Sequence, residues 1–448
     1  MLPPSQGWYN TNMRVLTSEL KKHNSKTVEL AGWLHKKRLL GGINFIMLRD
    51  RGGLAQVLID DDKEVKKLRA LQIGTVLSVK GKVTAEKRAP HGYEIKQPKI
   101  TVMVPVADTP PIEIDKPLDH KSENLDTLFE YRVIGLRNHQ ETAIFRVQAA
   151  ITKALRCFFE EYEFTEVHTP KLVAAATEGG AEVFKLDYFE QQATLAQSPQ
   201  FYKQMLVGVF ERVYEIAPVY RAEPSATTRH MTEYTSVDAE MGFITITDLE
   251  DLLSELLNYV VDYVWVQNKN ELEILKAKKP LLPKKIPVLS MKKIHELYTK
   301  ATGTKTVGEK DLRPDEEKWI CEYAATKLKS EAVFVSDWPA NDMKFYHKAQ
   351  DKNPKLADRV DLLFRGLEIT TGSMRENDYK TLVKQLKEKV KGDPNNPGFR
   401  YFLMAMQAGM PPHGGFGLGL ERLTAKIVGL NNIKEATLFP RDIQRLYP

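Results

Sequence analysis

Gly414-Gly415-Phe416-Gly417-Leu418-Gly419-Leu420-Glu421-Arg422 is the stretch on which the reading of this 448-residue chain turns. It departs from the Walker phosphate loop, because no Gly-Lys-Ser/Thr follows. It also misses the dinucleotide fingerprint, since Leu420 or Arg422 stands where the third glycine should be. Glycines remove Cβ atoms, so backbone can lie close to a flat or charged ligand. Arg422, at the head of the helix that follows, can then meet a phosphate or an adenine face.

Three other segments carry more functional residue types than a core requires. Tyr220-Arg221-Ala222-Glu223 is followed by Thr228-Arg229-His230-Met231-Thr232-Glu233-Tyr234, and then by Asp238 and Glu240. The pattern predicts a strand, a loop and a returning strand. Surface salt bridges explain any one of these charges. Together they suit an anionic ligand, because Arg forks grip phosphate or carboxylate bidentately. Glu368-Ile369-Thr370-Thr371-Gly372-Ser373-Met374-Arg375 sets an acid and a hydroxyl three residues apart. Such a pair can share a hard cation, while Arg375 offers a carboxylate clamp. Phe164-Thr165-Glu166-Val167-His168-Thr169-Pro170 alone is a helix-to-strand transition ended by proline.

The rest of the chain sets these segments in a two-part frame. The first ~105 residues alternate short runs with glycine-punctuated turns: Val28–Leu34, Ile43–Arg49, Leu54–Ile59 and Val76–Val83. A charged, helix-like segment, Asp61–Leu71, interrupts them. Four or five strands with one interposed helix suggest a small β-barrel, most commonly an OB-fold, with another small β-sandwich as the alternative. A proline- and acid-rich stretch, Pro105–Asp126, reads as a hinge. Beyond it, Ile144–Phe158 and Leu249–Val264 keep helical spacing. Val213–Tyr220, Ala332–Trp338 and Asp361–Ile369 are apolar, strand-like runs, so this is an α+β domain. The expected division is 1–108 barrel, 109–134 hinge and 135–448 second domain.

Composition excludes several classes. With 42% apolar residues the chain is no disordered protein. Its 65 Lys and Arg against 59 Asp and Glu give only +6, which permits a polyanionic partner without demanding one. Two distant cysteines, Cys157 and Cys321, argue against a disulfide scaffold or a Cys-based zinc site. The most apolar run, Leu252–Val266, is interrupted by Glu255, Asn258 and Asp262, so no membrane span is expected. The first residues lack the basic and apolar regions of a signal peptide, and a cytoplasmic protein is expected.

Taken jointly, the segments resemble a known family. Glu166-Val-x-Thr-Pro170, the Arg221-Ala-Glu…Arg229-His230…Glu233-Tyr234 run and Gly417-Leu-Gly-Leu-Glu-Arg422 look like motifs 1, 2 and 3 of the class II aminoacyl-tRNA synthetases. They occur in order behind a barrel, as in the subgroup for Asp, Asn and Lys. Ala176-Thr177-Glu178-Gly179-Gly180 and Gln197-Ser198-Pro199-Gln200-Phe201-Tyr202-Lys203 narrow the likeness to the aspartyl enzymes of compact archaeal type. Tyr234 and Thr371 stand where a phenylalanine and a serine are usual; each keeps the ring or hydroxyl required.

The resemblance implies an OB-fold barrel, an antiparallel sheet flanked by helices, and a homodimer with Pro170 near its twofold axis. It implies aspartyl-adenylate formation from L-aspartate and ATP, then transfer to tRNA. Arg221 and Arg422 are the implied catalytic residues. ATP would be held by Arg221, Ala222, Glu223, Arg229, His230, Met231, Tyr234, Glu368, Gly419, Leu420, Glu421 and Arg422. Mg²⁺ would sit on Glu368 and Thr371. Aspartate would meet Glu178, Gln200, Phe201, Tyr202, Lys203, Arg221, Thr371 and Arg375, with Lys203 and Arg375 on its side-chain carboxylate. In the barrel, Phe45, Gln56 and Glu94 match positions that read unpaired anticodon bases. His35 and Pro90 match the pattern of relatives that charge tRNA(Asn) as well as tRNA(Asp). The rivals are a strict tRNA(Asp) enzyme, an asparaginyl enzyme, a non-catalytic tRNA-binding paralogue and a barrel-less metabolic relative.

Overall fold

The computed structural model describes residues 14–39, 41–118, 122–174 and 183–447. The chain separates into two compact units, Met1–His139 and Gln140–Pro448. Among the described residues, no helix is long and apolar enough to cross a membrane.

The first unit is built on β1 (Thr27–Arg38), β2 (Asn44–Asp50), β3 (Gly53–Ile59), β4 (Val76–Ala85) and β5 (Tyr93–Val104). They close into a barrel in the order β1-β2-β3-β5-β4, with only β3 and β5 parallel. Alternate residues such as Leu30, Leu34, Ile46, Leu48, Val57, Leu77 and Val79 point inward and are fully buried. Helix α1 (Asp62–Ala70), started by the Asp61 carboxylate accepting from the Lys63 amide, adds Val65 and Leu68 to that core. Closure and the helix between the third and fourth strands decide for the OB-fold over a sandwich. β5 is absent from the runs picked out by pattern because Gln97, at a φ of 51°, and a register shift between Lys80 and Lys82 interrupt its alternation. The Pro105–Asp126 stretch belongs to this unit, where Ile114 is buried and Asn138 Nδ2 donates to the Ile114 and Lys116 carbonyls.

The second unit holds α2 (His139–Glu161, whose first residue closes the first unit), β6 (Thr165–Glu166), α3 (Gln200–Phe210), β7 (Arg212–Tyr220), β8 (Glu233–Gly242) and α4 (Ile246–Gln267). There follow β9 (Val288–Ser290), α5 (Met291–Thr302), α6 (Pro314–Tyr323), β10 (Ala332–Ser336), β11 (Arg359–Phe364) and β12 (Leu367–Met374). The chain ends with α7 (Tyr379–Val390), α8 (Pro397–Gln407), β13 (His413–Gly419) and α9 (Leu420–Val428). The sheet runs β9-β10-β11-β12-β13-β8-β7-β6. Its six central strands are antiparallel, and β6 and β9 pair in parallel at the two edges, so the sheet is mixed. The expected α+β class holds.

One face of this sheet is apolar. Val237, Ala239 and Met241 of β8, Phe416 and Leu418 of β13, and Leu362 and Phe364 of β11 pack there. Against them lie Val147, Ile151, Leu155 and Phe158 of α2, the Leu249–Val264 stripe of α4, and Leu423 and Ile427 of α9. The Asp361–Ile369 run is two strands rather than one. Arg365 and Gly366 both take positive φ, 48° and 81°, the geometry of a two-residue hairpin turn.

Candidate active site

Period-two alternation turns the opposite face of the sheet into the site. On β8, Tyr234, Ser236, Asp238 and Glu240 are the residues between those buried in the core. On β13, Gly415, Gly417 and Gly419 alternate with Phe416 and Leu418, so the glycine-rich stretch is a central strand and not a loop. Gly415 is required by packing: a Cβ there would stand 2.1 Å from the Ala239 carbonyl and 2.2 Å from Glu240 Oε2. On β12, Thr371 and Ser373 face this side. A register shift between Leu362 and Leu363 inserts one extra β12 residue, so Ile369 joins the core while Glu368 turns toward the site.

A cavity of about 280 Å³ opens on this face, lined by Arg221, Glu223, Arg229, His230, Met231, Tyr234, Glu368, Thr371, Gly419, Glu421 and Arg422. Ile369, Gly417 and Ile433 complete it; the first two lie in segments singled out in the sequence without a role of their own, and Ile433 in none. Two expected residues lie elsewhere. Ala222 borders a neighbouring cavity, and the Leu420 side chain is buried in the main core. Arg422, in the first turn of α9, donates from Nη1 to the Glu368 carbonyl at 2.8 Å and from Nη2 to the Arg229 carbonyl at 3.4 Å. Glu421 accepts the Thr235 amide at 3.0 and 3.1 Å, and burial pushes its carboxyl up to about 7. His230 Nδ1 lies 2.8 Å from Thr227 Oγ1. Burial, and then the Arg422 charge, lower its pKa, so the imidazole is neutral near pH 7.

Glu368 accepts a hydrogen bond from Thr371 Oγ1 at 3.0 Å. Burial works to raise its pKa, but Arg422, Arg359 and the Thr371 hydroxyl outweigh burial and hold it below the usual value. Asp361, across the strand from Thr371, goes the other way: burial drives it up against the Arg359 fork, which bonds it at 3.0 and 2.6 Å. An ionised carboxylate beside a hydroxyl is a donor set for a hard cation. Among the described residues, no group of three or more His, Cys, Asp or Glu side chains forms a complete cage. Glu368 and Thr371 are the residues here that would hold such a cation.

Adjoining the cavity at Gly417 and Asp238 is a buried charge cluster. Lys203 Nζ donates to Asp238 Oδ1 at 2.9 Å and to the Phe416 carbonyl at 3.0 Å, and lies 3.4 Å from Glu240 Oε2. Arg375 grips the same Glu240 with Nε at 2.7 Å and Nη2 at 3.1 Å, while Nη1 meets Ser373 Oγ at 2.5 Å. Burial would raise Glu240, but Arg375 and Lys203 keep it ionised. The two expected cations are thus brought together, on acids to which the sequence reading gave no role. Asp238 also accepts from Ser236 Oγ at 2.5 Å and Ser198 Oγ at 3.3 Å.

The α3 periodicity sorts the remaining expectations. Gln200, Lys203 and Gln204 share one face; Gln200 is buried, its Nε2 without a hydrogen-bond partner among the described residues, and Gln204 Oε1 pairs with His413 Nε2 at 3.1 Å. Phe201, one residue round, stacks on Phe402 at 4.6 Å in a separate aromatic core, so its side chain is not at the site. Tyr202 is half-buried, which raises its phenol pKa. Glu178 lies outside the described residues.

On the barrel, Gln56 Nε2 donates to Glu94 Oε2 at 2.7 Å across the β3–β5 pair. Phe45, half-buried on β2, has the Arg38 guanidinium 5.7 Å from its ring centroid. His35 sits at a bulge in β1 and is buried, 6.4 Å from the His139 ring. Burial, helped by Arg49 and His139, pushes its pKa down to about 4. His35 is thus a buried, neutral imidazole at the bulge of β1. Pro90 opens the turn Pro90–Gly92 between β4 and β5, where His91 lies against Gly53.

Comparison with known proteins follows the same division. Residues 124–443 match the class II tRNA synthetases (D, K and N). The chain belongs to that family. Residues 28–103 of this synthetase match the OB-fold nucleic acid binding domain. The synthetase is 42% identical to the aspartate–tRNA(Asp/Asn) ligase of Thermus thermophilus, over 97% of this chain and all of that one. It is 40% identical to the aspartate–tRNA(Asp) ligase of Pyrococcus horikoshii, over 97% of this chain and 98% of that one. Its fold matches the crystal structure of Pyrococcus horikoshii asparaginyl-tRNA synthetase complexed with asparaginyl-adenylate, with a TM-score of 0.89, 30% identity, and 98% and 100% of the two chains covered.

Proposed function

We propose that this synthetase activates L-aspartate with ATP and transfers it to tRNA(Asp) and also to tRNA(Asn). The observation that carries the amino-acid assignment is the meeting of Lys203 and Arg375 on one buried carboxylate beside the nucleotide cavity. A second carboxylate, from the substrate, can share these donors. The amide of asparagine would set its own donors against them. A site built on polar pairing discriminates by about 10⁴ without editing.

In the proposed first step a carboxylate oxygen of aspartate attacks the α-phosphorus in line and pyrophosphate leaves. Arg221 holds the α-phosphate and the attacking oxygen, Arg229 and Arg422 take the outer phosphates, and Tyr234 and Arg422 enclose the adenine. Glu223, His230 and Met231 complete the pocket, so catalysis is mostly positioning and charge neutralisation. Glu368 and Thr371 would hold Mg²⁺, which when bound neutralises phosphate charge. In the second step a hydroxyl of the terminal tRNA ribose attacks the aspartyl carbonyl and AMP leaves.

The barrel, residues 1–108, would read the anticodon through Phe45, Gln56 and Glu94, and 109–134 would join it to the catalytic domain, 135–448. Relaxed reading of the last anticodon base rests on His35 and Pro90, with His35 acting through the shape of the β1 bulge. Exposed Pro170 and the edge strand β6 favour a homodimer about this segment, and the enzyme would act in the cytoplasm. Charging of tRNA(Asp) and tRNA(Asn) transcripts with labelled aspartate tests the reading. Both should be aspartylated at comparable kcat/KM; charging of tRNA(Asp) alone would refute the relaxed specificity, and charging of neither would refute the function.

A further inference from the structure

We propose that Glu317 on α6 is a positioning residue that holds Arg229 toward the phosphate end of the nucleotide cavity. Arg229 lies on the irregular Arg221–Thr232 connection between β7 and β8, so neither helix nor strand fixes its side chain. Arg229 lines the cavity, and one of its guanidinium amino groups donates to Glu317 Oε2. Among the described residues the other guanidinium donors of Arg229 have no hydrogen-bond partner.

Helix α6 is a firm anchor for this contact. Glu316, next to Glu317 and fully buried, receives Thr306 Oγ1 at 3.0 Å and lies 2.8 Å from His295 Nδ1. Asp315 accepts from the Tyr298 hydroxyl at 2.7 Å, while Ile320 and Cys321 are buried against Met291 and Ile294 of α5. Glu317 is therefore the fixed partner and Arg229 the one that is restrained. Two effects compete. A carboxylate behind the arginine offsets part of its charge, yet it also removes the rotamer freedom that phosphate binding would otherwise have to quench. With one guanidinium N–H engaged and the side chain only 26% exposed, restraint prevails and the acid favours ATP binding.

This inference rests on the reading that Arg229 meets the outer phosphates of ATP. The test is ATP–pyrophosphate exchange by the full chain, comparing Glu317→Ala, Glu317→Gln, Arg229→Ala and the Glu317→Ala, Arg229→Ala double variant. Glu317→Met, which keeps the side-chain bulk against α6, replaces Glu317→Ala if the latter does not fold. Glu317→Ala should raise KM for ATP about tenfold while leaving KM for aspartate within about twofold. Glu317→Gln, which keeps an acceptor oxygen, should recover most of the loss, and Glu317→Ala should add nothing in the Arg229→Ala background. An unchanged or lowered KM for ATP in Glu317→Ala overturns the proposal. So does a rise for both substrates that adds to Arg229→Ala, since that is a general packing defect. If Arg229→Ala itself leaves KM for ATP unchanged, the phosphate reading of Arg229 fails; if it raises KM while Glu317→Ala is silent, only the role of Glu317 fails.

Discussion

The catalytic sheet and the barrel present their candidate sites in opposite ways. On the sheet, Lys203, Arg375, Asp238 and Glu240 are each at most 4% exposed and are locked to one another at 2.7–3.4 Å. On the barrel, Phe45 and Gln56 stand half-exposed on β2 and β3, with few fixed partners. A buried charge cluster is preorganised, and losing one member leaves the others unpaired in a low-dielectric site. A half-exposed ring contributes stacking area and can be lost at modest cost. Effects should therefore be steep in the first region and graded in the second.

The largest effect is expected at Arg375. Arg375→Lys cannot keep both bonds to Glu240 and should lower kcat/KM for aspartate activation by ~2–5 kcal/mol, about 30- to several-thousand-fold. Arg375→Ala should in addition lower the melting temperature, because fully buried Glu240 then loses its two charged hydrogen bonds and keeps the more distant Lys203. A melting temperature equal to that of the wild type would break the picture of a tightly coupled cluster.

Next comes Glu368→Gln, which keeps an oxygen but loses the charge. It should slow adenylate formation about 10²–10³-fold and raise the Mg²⁺ concentration needed, with little change in binding of aspartate alone. An unaltered Mg²⁺ titration would remove Glu368 from the metal site.

On the barrel, Phe45→Ala should raise KM for tRNA by the ~1–3 kcal/mol of one stacked base while leaving pyrophosphate exchange untouched. If exchange falls as well, the contrast between the two regions does not hold. The smallest effect is expected from the His35→Trp, Pro90→Lys double variant. Acting through a bulge rather than by direct contact, it should reduce tRNA(Asn) charging relative to tRNA(Asp) by about 1 kcal/mol, the low end of single-base discrimination. Equal loss on both tRNAs would remove these residues from specificity.

How far the sequence carried follows from the same contrast. The barrel strands and the long helices were legible because alternation and helical spacing survive in single segments, whereas most of the cavity lining was legible only through the resemblance of its motifs to a known family. The face that Glu368 presents was not deducible from pattern alone, since the one-residue bulge beside Ile369 reverses it. Phe201 was misplaced for a different reason. It adjoins Gln200 in sequence, but about 100° round the helix it joins the aromatic core with Phe402. Asp238 and Glu240 were visible as alternate acids, yet acids gained no role opposite an anionic substrate until the structure showed them gripping Lys203 and Arg375. The surroundings of His35 include residues as distant in sequence as Asp115 and His139, which no local pattern connects.

On the proposed reading, the Lys203–Arg375 pair on Glu240 selects a carboxylate over an amide. ATP–pyrophosphate exchange by the purified wild-type enzyme, with aspartate and asparagine compared at matched concentrations, tests it most directly. Exchange with aspartate should exceed that with asparagine by about 10⁴ in kcat/KM. Comparable exchange with the two amino acids, or a preference for asparagine, would contradict it.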